Sequence, residues 1–287
     1  MPELPEVEIV KQSLDNKIKF QKIKKVLIRN RNLRFKIPKS FEFFLKGKKI
    51  NKISRKSKYL IFHLNNKTFF IMHLGMSGTI HLISKKNDYK NTNTSFYSFS
   101  DLPTKHNHIT IFLKKYYFVY NDPRRFGFIK IIKNKEGLSN FFTNIGPEPL
   151  NKKFNINYIS NHFKNKKKNI KSFLLDQKFV SGIGNIYANE ILYYCKINPL
   201  KKAKKLQKSE IKKIKFFSKF ILNNAIKKGG SSIRDFKNAK GQNGSYQDEF
   251  KVYHRENLNC LKKDCYGKIK KKFISNRSTF FCNRCQK

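Results

Sequence analysis

The amino-acid sequence predicts an α+β protein of several domains: an N-terminal β-sandwich with a flanking helix, a helical domain and a C-terminal zinc finger of β-hairpin type. Three observations support this fold class. Residues 23–132 contain short runs rich in Ile, Phe, Tyr and Thr, separated by turn residues such as Asn65-Asn66. Apolar residues recur at helical spacing in the middle third. Four of the five cysteines lie close to the C-terminus.

The N-terminal elements follow from their periodicity. Val7, Val10, Leu14 and Ile18 recur at helical spacing after a Pro-rich start, which predicts a helix over residues 3–18. The strands predicted most clearly are residues 59–64, 68–72 and 108–112. The polar stretch 85–103 has no clear period and predicts a long loop. This part of the chain is therefore expected to form a sandwich or barrel.

A break at Gly146-Pro147-Glu148-Pro149 separates the strands from the helical pattern. Gly229-Gly230-Ser231-Ser232 ends that pattern. The expected organisation is residues 1–135 as the N-terminal β-sandwich domain, 136–152 as a linker, 153–237 as a helical domain, 238–252 as a loop and connection, and 253–287 as the zinc finger.

The chain carries 64 basic and 18 acidic residues, a formal net charge of +46, with an isoelectric point near 10.2. Such a charge favours nucleic acid as a partner. The abundance of Lys, Asn, Ile, Phe and Tyr also fits an AT-rich coding sequence, so single lysine runs say little. No apolar run is long enough to cross a membrane and no secretory signal pattern is present. We expect a soluble intracellular protein without a membrane partner.

Cys260, Cys265, Cys282 and Cys285 form two pairs at metal-ligand spacing, which predicts one structural zinc ion. A short segment with little core of its own needs such a centre to fold. Two disulfides are the alternative, although nothing indicates an oxidising compartment. Cys195 lies in an apolar run and is predicted to be a buried apolar residue.

The N-terminus offers a candidate nucleophile. Removal of Met1 before Pro2 would expose a secondary amine, and an α-amine titrates near ~8, low enough to attack an electrophilic carbon at neutral pH. Glu3 and Glu6 follow and could move protons while an iminium forms and breaks down. The same carboxylates would also favour the start of a helix without any catalytic role.

Six segments occur in an order that resembles bacterial formamidopyrimidine-DNA glycosylase. They are Pro2-Glu3-Leu4-Pro5-Glu6-Val7-Glu8, Ser57-Lys58-Tyr59-Leu60, His73-Leu74-Gly75-Met76-Ser77-Gly78, Asn121-Asp122-Pro123-Arg124-Arg125-Phe126-Gly127, Gly182-Ile183-Gly184-Asn185-Ile186-Tyr187-Ala188 and the cysteine quartet. The resemblance spans nearly the whole chain. It implies that the helical region is a helix-two-turn-helix domain.

The resemblance also implies the chemistry. Members of this family excise oxidised purines, chiefly 8-oxoguanine and formamidopyrimidines, from duplex DNA and then cleave the strand as lyases at the abasic site. By resemblance, Pro2 attacks C1′ and forms a Schiff base, Glu3 is the acid/base, and Lys58 and Arg277 complete the catalytic group. β-Elimination and then δ-elimination follow. The implied enzyme acts as a cytoplasmic monomer and needs no nucleotide or redox cofactor.

The remaining residues match family positions that hold the DNA. Met76, Arg124 and Phe126 would enter the duplex and replace the flipped nucleotide. The phosphate contacts implied are Lys58, His73, Lys171, Asn185 and Arg277. Judged only by its place in a turn between the cysteine pairs, Arg277 could equally be a solvated surface residue. Ser231, Ser232 and residues 238–246 match the loop that covers the flipped base.

Four departures distinguish this chain from the family pattern. The first cysteine pair has four intervening residues where two are usual, and the expected glycine after it is displaced to Gly267. Ile9 and His254 stand where Thr and Gly are expected. The changed cysteine spacing and glycine position mean that the loop carrying Cys260 and Cys265, the first zinc knuckle, must be remodelled.

Two other functions remain open at this level. An endonuclease VIII-like glycosylase would share the proline nucleophile but prefer oxidised pyrimidines. A catalytically silent nucleic-acid-binding zinc protein would keep the fold, but binding alone would not require Pro2 and Glu3. Glu3-Leu4-Pro5 and the Arg124-Arg125-Phe126 block favour the purine enzyme.

Overall fold

The computed structural model describes residues 2–84, 90–92, 104–231 and 244–287. The chain forms two compact units. The first contains Met1–Thr143 and Ile226–Gln247, and the second contains Asn144–Ala225 and Asp248–Lys287. Most of the loop predicted over 85–103, together with Ser232 and residues 238–243, lies outside the described residues.

The first unit begins with helix α1 (Leu4–Ile18). Its N-cap is Glu3, and Glu6 accepts a hydrogen bond from the Glu3 N–H, so the pair forms a capping box that fixes the helix start. Pro5 is tolerated there because the first helical N–H groups have no partner inside the helix. The buried side chains of α1 recur at helical spacing, as the sequence predicts.

Two antiparallel sheets follow. The strands are β1 (Lys25–Ile28), β2 (Ile50–Lys56), β3 (Tyr59–Leu64), β4 (Phe69–His73), β5 (Thr79–Ser84), β6 (Lys90–Thr92), β7 (Asn107–Phe112), β8 (Tyr116–Asn121) and β9 (Phe128–Ile132). One sheet has the order β1-β7-β8-β5-β6 and the other β2-β3-β4-β9. Short helices α2 (Phe41–Leu45) and α3 (Lys135–Phe141) accompany them.

The two sheets and α1 share one apolar core. Phe62 and Phe70 come from the four-stranded sheet, Phe118 comes from the five-stranded sheet, and Val10 comes from α1. Phe62 stacks on Phe70 with ring centroids 4.1 Å apart. The predicted N-terminal β-sandwich with its flanking helix is confirmed.

The second unit is helical before its C-terminal hairpin. Its helices are α4 (Ile156–Phe163), α5 (Ile170–Leu175), α6 (Asn185–Cys195) and most of α7 (Lys208–Lys227). Asn155 and Asn169 cap α4 and α5 by accepting a backbone N–H two or three residues into each helix. Helix α6 is buried on nearly all sides, so the unit is built around it.

The chain ends in the hairpin β10 (Ile269–Ile274) and β11 (Arg277–Cys282), as predicted for the finger. The small core of the hairpin includes Tyr193 of α6, Val252, Ile269 and Phe280. Glu190 of α6 is buried and accepts three backbone N–H bonds from residues 251–253 at 2.9–3.0 Å. The hairpin module is thus fastened to α6.

Candidate active site and nucleic-acid interface

The start of α1 brings together the candidate nucleophile and two carboxyl groups. Glu3 is 2% exposed and directly follows Pro2. One oxygen of Glu6 accepts the Glu3 N–H at 2.9 Å, and the other accepts the N–H and hydroxyl of Ser231 at 2.9 and 3.0 Å. Glu6 therefore fixes both the residue beside Pro2 and the start of the segment predicted to cover the flipped base.

Lys58 lies in the turn between β2 and β3 and is buried. The preceding Ser57 has a φ of 56°, and its carbonyl accepts a hydrogen bond from Arg55 at 2.8 Å. Arg55 also donates to Glu8 of α1 at 2.8 Å. Burial alone would raise the pKa of Glu8, but the Arg55 hydrogen bond and charge outweigh burial and lower this pKa. The Lys58 turn is therefore tied to the helix that carries Glu3.

His73 ends β4, and its environment keeps it uncharged. Burial, together with the positive charges of Lys58 and Arg34, lowers the pKa of His73 to about 4. Its Nδ1 accepts the Gly75 N–H at 3.1 Å, and its ring stacks on Phe128 with centroids 5.5 Å apart. A neutral imidazole offers phosphate no net charge. The observed contacts of His73 support the loop that follows it, and its phosphate contact stays a prediction.

The lowered pKa of His73 predicts a pH dependence of stability. Its pKa is about 4 in the folded protein against 6.5 ordinarily, so the unfolded chain binds the proton more tightly. The stabilising effect of the neutral ring is fully present above about pH 6.5 and is lost as pH falls towards about 4. Urea unfolding at pH 7 and pH 5 should therefore show a smaller pH-dependent loss of unfolding free energy in His73→Phe than in the unsubstituted protein. An equal loss in both proteins would contradict the assignment.

Two segments of the first unit carry the residues predicted to enter DNA. We call residues 74–78 the Met76 loop and residues 122–127 the Arg124 turn. Phe126 is 45% exposed, Arg124 is exposed, and the Arg124 guanidinium lies 4.7 Å from the centre of the Phe126 ring. Met76 is half-buried. The Arg124 turn therefore presents a guanidinium and an apolar ring side by side.

The second unit presents Arg277 at the start of β11. Ser275 and Asn276 have φ values of 50° and 54°, a tight hairpin turn that places Arg277 opposite Ile274. The next carbonyl, that of Ser278, accepts hydrogen bonds from the Asn185 amide and the Lys171 ammonium, each at 3.0 Å. The turn is therefore held from the helical part of the same unit.

Lys171 is fully buried, and its ammonium also donates to the Thr279 hydroxyl at 2.7 Å. A buried ammonium needs such acceptors to offset the loss of water. The side chain that the sequence assigns to a DNA contact is thus engaged inside the protein. Asn185 lies at the start of α6, after the N-cap Gly184, and is less deeply buried.

The four cysteine sulfur atoms lie within 4.8 Å of one another and could hold a metal ion. The Sγ atoms of Cys260 and Cys285 are 3.8 Å apart, and those of Cys265 and Cys282 are 3.7 Å apart. A disulfide would need about 2.05 Å. Sulfur atoms at the corners of a zinc tetrahedron, with bonds of about 2.3 Å, lie about 3.8 Å apart. The donor set and its spacing fit zinc.

The longer first cysteine pair is accommodated by a local rearrangement. Asp264 adopts a φ of 59°, and the Cys260 N–H donates to the Gly267 carbonyl at 2.8 Å. A Cβ atom at residue 267 would lie 2.7 Å from the Cys282 sulfur, so glycine is needed there. Cys195 is buried outside the cluster, and its predicted place as a buried apolar residue is confirmed.

Sequence reasoning missed three polar residues beneath the Met76 loop and the Arg124 turn: Ser77, Tyr120 and Asp122. All three are buried, and the hydroxyls of Ser77 and Tyr120 each donate a hydrogen bond to the Asp122 carboxylate. Ser77 and Asp122 lie inside two of the motifs given above, and that position is the signal that could identify them. Glu190 was also missed.

Comparisons with known proteins identify the family. The family model of the formamidopyrimidine-DNA glycosylase N-terminal domain matches residues 1–129, and that of the H2TH domain of the same enzyme matches residues 145–237. A formamidopyrimidine-DNA glycosylase of Wolbachia sp. subsp. Drosophila simulans (strain wRi) is 41% identical over 287 residues, all of both chains. The chain belongs to the formamidopyrimidine-DNA glycosylase family. The resemblance found in the sequence is confirmed.

Solved structures of the family agree with this assignment. A Lactococcus lactis formamidopyrimidine-DNA glycosylase variant in complex with DNA containing Fapy-dG is 33% identical, with a TM-score of 0.88 over all of both chains. The L. lactis enzyme with DNA containing an abasic site is also 33% identical, with a TM-score of 0.87 over 99% of each chain.

Within the part of the chain described, no helix is both long and apolar enough to cross a bilayer.

Proposed function

We propose that this chain is a base-excision repair glycosylase that removes 8-oxoguanine and formamidopyrimidines from duplex DNA and then cleaves the strand at the abasic site. The full-length similarity to formamidopyrimidine-DNA glycosylases carries this proposal. The buried carboxyl group of Glu3 beside Pro2 supports it in the structure. The substrate follows from the family, and the geometry supplies a place for its chemistry.

The reaction proceeds through an iminium. The Pro2 nitrogen forms a bond to C1′ as the bond from C1′ to the base breaks, and the base leaves with a proton. Glu3 supplies the proton that opens the sugar and later accepts one. The iminium acidifies the C2′ proton, so its removal expels the 3′ phosphate, and a second elimination expels the 5′ phosphate. The ammonium of Lys58, on a turn tied to α1, and the guanidinium of Arg277 stabilise the negative charge of the departing phosphates.

DNA is held by insertion and by charge. Phe126 wedges between bases, Met76 fills the space of the flipped nucleotide, and Arg124 hydrogen-bonds the orphaned cytosine. Asn185 and Arg277 contact phosphate, and the net charge of +46 adds attraction along the backbone. One zinc ion on the four cysteines holds the hairpin that carries Arg277. A single lesion needs one active site, so the enzyme works as a monomer on chromosomal DNA in the bacterial cytosol.

Borohydride trapping tests the reaction and its substrate together. Purified protein is mixed with duplexes carrying 8-oxoguanine opposite cytosine or thymine glycol, and the iminium is reduced to a stable adduct. We expect preferential adduct with the 8-oxoguanine duplex. Preference for thymine glycol would support an endonuclease VIII-like enzyme. DNA binding without adduct on either duplex would support a silent binding protein.

Lys171 acts on DNA through the Arg277 turn. Lys171→Met is expected to lower duplex affinity roughly 10-fold, because the Ser278 carbonyl and Thr279 hydroxyl lose a charged donor and the turn loosens. In an Arg277→Ala background the same substitution should cost little more, since residues that act as a unit are not additive. Labelled duplex is titrated with the unsubstituted protein, each single variant and the double variant. The four affinities give the coupling free energy between Lys171 and Arg277.

Lys168→Met is the matched control, because Lys168 is half-exposed on the same unit and loses the same charge. It should weaken binding far less than Lys171→Met. Additive losses from Lys171→Met and Arg277→Ala would mean that Lys171 reaches the DNA itself.

A further inference from the structure

Asp122 is a buried carboxylate with donors from both DNA-entering segments. It is fully buried directly after β8. One of its oxygens accepts the hydroxyl of Ser77, in the Met76 loop. The other accepts the Gly127 N–H, in the Arg124 turn, at 2.8 Å, and the Tyr120 hydroxyl at 3.0 Å. One carboxylate therefore joins the two segments to each other and to the sheet.

Ser77 extends this connection to Arg124. Its hydroxyl donates to Asp122 and at the same time accepts the Arg124 N–H at 3.2 Å. The backbone on which Arg124 is mounted is thus linked through Ser77 to Asp122. The Asp122 carbonyl accepts the Arg125 N–H at 3.2 Å and a ring N–H from His108 at 2.7 Å, which fixes the start of the turn.

Glycines let the two segments touch backbone to backbone. A Cβ atom on Gly75 would lie 2.4 Å from the Gly127 nitrogen, and one on Gly127 would lie 1.8 Å from the Tyr120 hydroxyl. Neither approach leaves space for a side chain. The side chains of Arg124 and Phe126, on the Arg124 turn, are exposed to solvent.

A buried carboxylate is stable only when its hydrogen bonds are made, and bonds to a charged acceptor are about twice as strong as neutral ones. Moving either segment alone would break bonds to Asp122 and leave it uncompensated. The arrangement therefore penalises separate motion of the Met76 loop and the Arg124 turn.

We propose that Asp122 is a positioning residue that, with Ser77, fixes Met76, Arg124 and Phe126 as one preformed wedge for entry into the duplex. This inference rests on the proposed function, because the wedge matters only if a nucleotide is displaced. Asp122 touches no reacting atom and acts through the three side chains it places. The cost of ordering two loops is then met during folding, before DNA binds.

Ser77→Ala and Asp122→Asn test the wedge on two substrates. The first is duplex DNA with 8-oxoguanine opposite cytosine, which needs the wedge. The second is a single-stranded oligonucleotide with an abasic site, which has no stacked partner to displace. We expect single-turnover excision from the duplex to fall roughly 10- to 100-fold, since a shift of about 1 Å can cost that much. Borohydride trapping on the single strand should stay within about twofold.

A spectroscopic signature separates insertion from simple loss of stability. With 2-aminopurine beside the lesion, unstacking by the wedge raises fluorescence. At saturating protein, both variants should give a slower or smaller rise than the unsubstituted protein. Ser54→Ala is the matched control, because it deletes a hydroxyl that bonds His63 on β3 in the same unit, away from the wedge. It should leave duplex excision and fluorescence unchanged.

Equal losses of duplex excision and of single-strand trapping would overturn the inference, because the substitutions would then act on the fold or on the nucleophile. Unchanged duplex excision and fluorescence in Ser77→Ala would also overturn it. If Asp122→Asn does not fold, Ser77→Ala decides alone. Failure of the proposed function looks different, since the unsubstituted protein would then form no adduct with the 8-oxoguanine duplex.

Discussion

Pro2→Leu is expected to reduce the borohydride-trapped adduct by about 10³-fold or more while leaving duplex affinity nearly unchanged. A bulky second residue causes Met1 to be retained, so the nitrogen of residue 2 becomes an amide and cannot attack C1′. Affinity comes mainly from phosphate contacts made elsewhere. Trapping on 8-oxoguanine and abasic duplexes, with a filter or fluorescence titration in parallel, measures both quantities.

Pro2→Ala is the matched control for this experiment. It keeps a small second residue, so Met1 is removed and an N-terminal amine remains beside Glu3. It should form adduct more slowly than the unsubstituted protein and far faster than Pro2→Leu. If Pro2→Leu retained full trapping, another amine would be the nucleophile. A parallel loss of binding would instead mean that residue 2 acts on the structure.

Cys282→Ser is expected to remove the bound zinc and to weaken duplex binding by about 10-fold or more. Cys282 is fully buried at the end of β11 and is one of the four clustered cysteines. Structural zinc contributes an apparent ~10–16 kcal/mol in small fingers, far more than so small a core supplies. Loss of the metal would unfold the hairpin that carries Arg277. Metal analysis per chain and duplex titration measure the two effects.

Cys195→Ala is the control, because its sulfur lies outside the cluster. It should keep one zinc per chain and near-normal affinity. Trapping on a single-stranded abasic oligonucleotide should survive in Cys282→Ser, since Pro2 and Glu3 belong to the other unit. Retention of metal and affinity in Cys282→Ser would contradict a four-cysteine site.

The sequence predicted elements well where the local pattern is strong. Helix α1 was predicted over residues 3–18 and lies at Leu4–Ile18, and the strand predicted over residues 59–64 is β3. Helix α1 carries apolar residues at helical spacing, and β3 is a short run rich in apolar and aromatic residues followed by the turn residues Asn65-Asn66. The cysteine spacing likewise indicated the metal ligands, because four thiolates in so short a segment have few other uses.

For two polar side chains the structure shows contacts that the sequence did not predict. His73 and Lys171 were predicted to contact DNA from their motif positions. In the structure the His73 ring supports the Met76 loop, and the Lys171 ammonium holds the Arg277 turn. A motif gives the residue type but not the atom that its polar group faces. That partner, Ser278 for Lys171, lies 107 positions away in the sequence.

By itself, the sequence determined the fold class, the four cysteines that could hold a metal ion, the place of Pro2 beside Glu3, and the family. These depend on residue type, period and order along the chain. Only the tertiary structure decided that Glu6 joins Glu3 to Ser231, and that Asp122 joins the Met76 loop to the Arg124 turn. The physical reason is burial: a carboxylate removed from water must bond whichever donors folding brings to it.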